Sequence, residues 1–223
     1  MGAAGIASAV AARPGSAAAP PATPLEARPG TARLAPAEYK PTPIWGYDGG
    51  VPGPTIRVRQ GERLDRVFLN NLPQPSKIHW HGIRIDNAMD GVPELTQSAV
   101  PPGGSFDYGF TLPDAGTYWY HPHNRTWEQL ARGLYGALIV EEPEGPDVDR
   151  DEVLLIDDWR LTETAEIAED FGAMHDWSHG GRIGNWITVN GNGYWSSEAR
   201  QNDRLRLRLF NASNARIFSL SLK

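Results

Sequence analysis

Two short motifs, His79-Trp80-His81 and His121-Pro122-His123, hold four of the six histidines in this 223-residue chain. Residues two apart on a β-strand face the same side, roughly 7 Å apart along the chain. Each motif on a strand therefore projects two imidazoles side by side. Neutral imidazole is a ligand for copper, zinc, iron and nickel. One His-x-His alone reads equally as a surface or hydrogen-bonded pair, but its recurrence in a chain with so few histidines points to metal binding. Pro122 has a fixed φ and no N–H, so it belongs at a strand end rather than in the middle of a ladder. Two antiparallel neighbours carrying these motifs would bring four imidazoles together. The remaining pair, His175 and His179, has the i, i+4 spacing of a helix face. It reads first as a polar loop pair and second as two metal ligands.

Composition narrows the chemistry. The chain has no cysteine, which excludes disulfides, thiolate catalysis, zinc ribbons and iron–sulfur clusters. It also excludes a blue-copper centre within these residues, since that centre needs a thiolate. Hydrophobic residues make up 40% and charged residues 22%, with a formal net charge of −6. Nothing in this balance favours nucleic acid, which calls for a basic patch. No run reaches the roughly 18 apolar residues of a membrane span.

The elements that must position the histidines read as short strands. Thr55–Gln60 alternates apolar and polar residues, and Gly61-Glu62 marks a turn. Leu64, Val67 and Leu69 mark a second strand, and Lys77–His81 is a third. Pro101-Pro102-Gly103-Gly104 is a turn, followed by strands over Ser105–Leu112 and Gly116–His121. Tyr135–Glu141 holds the apolar run Ala137-Leu138-Ile139-Val140 of a buried strand. Thr126 with Gln129 three residues later predicts a short helix opened by a capping box and closed at Gly133. The acidic, turn-rich stretch 143–151 predicts a domain boundary. Strands over Val153–Asp157, Trp186–Asn190, Arg204–Leu209 and Ile217–Leu220 follow, with a less regular segment from Glu163 to Gly181. Strands at this spacing imply a β-sandwich or barrel.

On these residues the chain resembles the multicopper oxidases, the family of laccases, ascorbate oxidase and bacterial copper-efflux oxidases. Ile78-His79-Trp80-His81-Gly82 and Trp119-Tyr120-His121-Pro122-His123 are similar to that family's first two copper motifs. Val51–Ile56, Asp90–Pro93, Pro101–Gly104 and Gly133–Val140 extend the likeness through a first domain. Asp157–Arg160, Val189–Gly191 and Leu207–Ser213 extend it into a second. The resemblance implies an all-β fold built as a cupredoxin-like Greek-key β-sandwich, with one complete domain plus the start of a second. The expected division is 1–35 as an export-signal remnant and disordered Ala/Pro-rich leader, 36–145 as the first cupredoxin domain, and 146–223 as an incomplete second one.

The resemblance also implies roles. His79 would bind a type-2 copper, His81 and His121 one type-3 copper, and His123 the other type-3 copper. Asp90 would be the acid beside the type-2 water that helps deliver protons to oxygen; otherwise it is a plain turn residue, since Asp-Gly is a turn dipeptide. The implied activity is one-electron oxidation of a phenol, an aromatic amine or Cu(I), coupled to four-electron reduction of O₂ to water. The implied partners are O₂, a small reducing substrate and a C-terminal cupredoxin domain of the same protein, with no nucleic acid and no membrane span. That domain would supply the other trinuclear ligands and the type-1 site, so the 223 residues alone are expected to be inactive.

The alternative is a non-catalytic periplasmic copper-binding or copper-resistance module. A copper-free scaffold is disfavoured because all four histidines are intact. A copper nitrite reductase is disfavoured because its first domain needs a cysteine ligand. The Ala-rich run from Ala3 to Ala12, with Ala17-Ala18-Ala19 before Pro20, predicts export to the periplasm or outside the cell. A twin-Arg segment upstream of a misplaced Met1 would complete the signal.

Overall fold

The computed structural model describes residues 22–221. The first unit is a sandwich of two four-stranded sheets. In chain order its strands are β1 (Thr23–Ala32), β2 (Thr42–Tyr47), β3 (Ile56–Arg59), β4 (Arg63–Asn70), β5 (Ile78–His81), β6 (Ser105–Thr111), β7 (Gly116–Pro122) and β8 (Gly136–Glu141). One sheet has the order β2-β1-β4-β6 and the other β3-β8-β7-β5. A third, three-stranded sheet is built from β9 (Arg150–Trp159), β10 (Trp186–Val189) and β11 (Leu205–Asn211), in the order β10-β9-β11. A 3₁₀ turn (Asn87–Met89) and two short helices, α1 (Thr126–Gln129) and α2 (Met174–Ser178), complete the elements among the described residues.

The alternation of each strand explains the sandwich. Leu25, Ala27, Leu64, Phe68, Tyr108 and Phe110 of one sheet pack against Ile56, Ile78, Trp80, Tyr120, Leu138 and Val140 of the other. Trp80, between the two histidines of β5, and Tyr120, just before His121 in β7, are the residues turned into this core. The histidines are thereby left on the outer face. β8 differs because both its faces are covered. Leu138 and Val140 enter the first core, while Ala137 and Ile139 join a second core with Leu34, Ile44, Leu155, Trp159 and Phe210. A strand buried on both faces has no position for a polar residue, which is why Ala137–Val140 is an unbroken apolar run.

The second core joins the first unit to the third sheet. Hydrogen bonds reinforce it: Thr42 Oγ1 donates to the Ala165 carbonyl at 2.7 Å, and Trp186 Nε1 to the Leu34 carbonyl at 2.8 Å. The buried guanidinium of Arg208 spans the same junction, donating to Asp151 Oδ1 at 2.6 Å and to Thr117 Oγ1 at 2.7 Å.

Three local expectations are corrected. Residues 23–32 are not part of a disordered leader: they form β1, antiparallel to β2 and parallel to β4, with Leu25 and Ala27 buried. The ordered first unit therefore begins well before residue 36. Its Pro and Gly residues hid the strand. The capping box at α1 does not form. Arg125, in the left-handed region at φ 48°, precedes the helix without a side-chain cap. Thr126 Oγ1 donates to the Pro122 carbonyl instead, and Gln129 bonds to Ser76 and Pro75. Ile217–Leu220 is irregular rather than a strand. The remaining expected strands are present within a few residues of their expected ends, and the irregular stretch after Glu163 holds α2. The Ala-rich export segment lies outside the described residues.

Candidate metal centre

β5 and β7 are antiparallel, and their register sets His79 directly opposite His121 and His81 opposite Trp119. All four side chains therefore share one face of the sheet. Ligand atoms of His79, His81 and His121 lie within 4.8 Å of one another. His123, just past the end of β7, stands beside them, with its ring centroid 5.0 Å from that of His79 and 6.0 Å from that of His121. The structure thus brings together all four histidines that the spacing singled out.

Hydrogen bonds fix which nitrogens can act as ligands. His79 Nδ1 lies 2.7 Å from the main-chain carbonyl of Asp90. His121 Nδ1 lies 3.0 Å from the carbonyl of Pro122. A carbonyl only accepts, so both Nδ1 atoms carry the proton, and both Nε2 atoms of the neutral rings present a lone pair. His81 Nδ1 stands 3.2 Å from His121 Nε2. With nitrogen–metal bonds of about 2.0–2.1 Å, two ligands on adjacent positions of one ion stand about 3 Å apart. The donor set therefore fits a first-row metal shared by His81 and His121.

The electrostatics match. Burial pushes the His121 imidazole down to about 3; its hydrogen bond to Pro122 opposes this, and the neighbouring rings of His79, His81 and His123 add to it. Burial also lowers His81, with help from His79 and His123, and it lowers His123, again helped by His79. Crowded, partly dehydrated imidazoles resist protonation. They stay in the neutral form that binds metal.

A surrounding frame holds the rings. Trp119 stacks on His121 with centroids 4.2 Å apart and also lies against His81 at 5.2 Å. Thr126 Oγ1 shares the Pro122 carbonyl with His121. Asn124 Nδ2 and Gln129 Nε2 both donate to the Pro75 carbonyl, at 2.6 and 2.9 Å. Gln129 Oε1 accepts from Ser76 Oγ at 2.8 Å. The segment after His123 is thereby tied to the residues that lead into β5, and the two motifs cannot slide apart. Nothing in the spacing foretold this frame, because its donors and acceptors lie about 50 residues apart.

Asp90 ends a 3₁₀ turn over Asn87–Met89. Its main-chain carbonyl orients His79, and its carboxylate Oδ1 lies 3.5 Å from the same nitrogen. Gly91 makes this possible. It has φ +80°, and a Cβ there would overlap the Ile78 carbonyl, so only glycine lets the loop lie against β5. His175 and His179 fall elsewhere, stacked on each other at the C-terminal end of α2.

Comparison with known proteins agrees with this geometry. The family model described as Multicopper oxidase matches residues 30–145. The chain is 34% identical over 154 residues to a copper resistance protein A homolog of Pseudomonas syringae pv. tomato, covering 67% of this chain and 26% of that protein. It is 31% identical over 207 residues to Laccase-2 of Cryptococcus neoformans, covering 80% of this chain and 34% of that protein. Among solved structures, Lac15 from a marine microbial metagenome superposes with a TM-score of 0.73 at 49% identity, over 86% of this chain and 48% of the other. The chain thus spans about a quarter to a third of the length of these curated relatives. The all-β, cupredoxin-like architecture and the resemblance read from the two motifs are both borne out, and the chain belongs to the multicopper oxidase family.

Proposed function

We infer that this chain provides half the ligands of a trinuclear copper cluster in an oxidase that reduces O₂ to water with electrons from a phenol, an aromatic amine or Cu(I). The observation that carries this reading is the convergence of four imidazoles on one sheet face, two of them with Nδ1 tied to carbonyls and Nε2 free. Copper, when bound, supplies the electron storage that a four-electron reduction requires.

The residues divide the work. His79 serves the type-2 position, with its ring orientation set by the Asp90 carbonyl. His81 and His121 share one type-3 ion, supported by their 3.2 Å nitrogen separation. His123, outside the closest triad, serves the other. The Asp90 carboxylate, half-buried and held beside His79, moves protons toward the oxygen site. The half-buried Trp119 ring, stacked on His121, keeps water from the back of that imidazole. The remaining trinuclear ligands and a type-1 centre come from a further cupredoxin domain of the same protein, to which residues 146–223 lead as the start of a second domain. The Ala-rich leader supports export, through a twin-Arg route, to the periplasm or beyond.

A second reading is a copper-binding module without turnover. It is favoured by the likeness to a protein named for copper resistance. Oxygen-uptake measurements on the complete gene product with a phenolic donor separate the two. The oxidase reading expects copper-dependent O₂ consumption without peroxide release, abolished by His121→Ala. Copper retention with no O₂ uptake would leave only the binding module. The 223-residue chain alone is expected to bind copper and show no turnover.

A further inference from the structure

We propose that His175 and His179 form a separate cupric-ion site at the C-terminal end of α2, independent of the four-histidine cluster. His175 lies on α2 and His179 caps its C-terminal end, donating its N–H to the His175 carbonyl at 3.1 Å, and their rings stack with centroids 4.4 Å apart and 21° between planes. Both residues are exposed. Two ligands on one ion, with bonds of about 2.0–2.1 Å, stand at most about 4.2 Å apart. Small rotations about exposed side-chain bonds bring the ring nitrogens within that limit.

A hydrogen-bond relay fixes the protonation of His179. Ser178 Oγ donates its one proton to the Met174 carbonyl at 2.8 Å. Toward His179 Nδ1, also at 2.8 Å, the same oxygen can only accept. His179 Nδ1 therefore carries the ring proton, and Nε2 presents its lone pair outward. A neighbouring acceptor that sets the tautomer is a recurring feature of histidine metal ligands.

The helix carrying the pair is held in place. Asp176, between the two histidines in sequence and half-buried, accepts from both terminal nitrogens of the Arg160 guanidinium at 2.8 and 3.0 Å. Arg160 also bonds Asp170 at 2.6 Å, as does Arg182. This ion-pair network fixes one face of α2 and leaves the histidine face open. Two imidazoles without a thiolate or carboxylate suit divalent copper above the other first-row ions, since affinity rises to Cu²⁺ and falls again at Zn²⁺.

The test is a titration of the full chain with CuCl₂ in a non-coordinating buffer, followed by Cu²⁺ electron paramagnetic resonance and by equilibrium dialysis. The wild-type chain is expected to show a weaker class of about one ion beyond those at the four-histidine cluster. His175→Ala/His179→Ala should remove that class and leave the cluster's signal intact. His79→Ala/His121→Ala should do the reverse, which separates this site from the cluster reading. Ser178→Ala, which keeps both ligands, should weaken the class severalfold while circular dichroism shows the fold retained. Equal stoichiometry in the wild-type chain and the His175/His179 double variant would overturn the proposal. So would loss of the weaker class together with the cluster signal in His79→Ala/His121→Ala.

Discussion

Trp119 lies flat on His121, its ring centroid 4.2 Å from the imidazole with 30° between the planes. The contact shields the ring of a proposed metal ligand from water, and it ties that ring's protonation to the packing of one indole. Trp119→Ala should therefore let water reach His121. Its titration midpoint, followed by NMR of the metal-free chain, is expected to move up from about 3 toward the ordinary histidine value of about 6.5. Copper affinity should fall tenfold or more near pH 6, where proton competition becomes effective.

Metal-free stability should depend on pH through the same residue. His121 titrates lower in the folded chain than in the unfolded one, so the unfolded chain takes up the proton first. The stabilisation is complete above about pH 6.5 and is lost as the pH falls toward about 3. Between pH 7 and pH 4.5 the loss from this residue is roughly 2–3 kcal/mol. Urea unfolding of the wild-type chain and His121→Gln at both pH values checks it. The variant should show the smaller drop by about that amount.

Asp90 and Gly91 separate orientation from proton transfer. The Asp90 main chain, not its side chain, makes the 2.7 Å bond to His79. Asp90→Asn should leave copper content unchanged while lowering O₂ reduction by the complete protein by about 10²-fold or more. Gly91→Ala should do the opposite, displacing the loop from Ile78 and costing copper occupancy. Metal analysis alongside oxygen uptake distinguishes the two. Copper loss in Asp90→Asn would show that the carboxylate holds His79 after all.

Truncation tests the place of β1. Removing residues 1–21 should leave the thermal midpoint within a few degrees of the intact chain. Removing residues 1–35 deletes the strand between β2 and β4 together with buried Leu25 and Ala27. A single buried leucine truncated to alanine costs about 2–5 kcal/mol, against a typical total stability of about 5–15 kcal/mol. Loss of a whole central strand should therefore give an insoluble or molten product, visible as loss of near-ultraviolet circular dichroism.

The convergence of the four histidines was legible in the sequence because strand geometry maps spacing directly onto space. His-x-His on β5 and His-x-His at the end of β7 needed only an antiparallel pairing to converge. β3 to β8 were also legible as strands, while β1 and β2 were not. What stayed hidden depends on long-range partners. β1 carries Pro24, Pro29 and Gly30, which locally argue for a linker, and its neighbours β2 and β4 override that preference. Thr126 and Gln129 have the local pattern of a capping box, but Pro122, Pro75 and Ser76 offer them other partners. The role of the Asp90 carbonyl was hidden because sequence patterns speak of side chains, although Gly91 marks the place.

β8 is walled in on both faces, with Leu138 and Val140 on one side and Ala137 and Ile139 on the other. That sharing has a consequence for the order of events during synthesis. Once residue 141 has left the ribosome, the sandwich around the histidines can close, but Ala137 and Ile139 still face water. Leu155, Trp159 and Phe210, which cover them, emerge later. The nascent first unit therefore waits with an adhesive flank, and a pause in translation before residue 160 would be the moment at which this chain is most prone to clump.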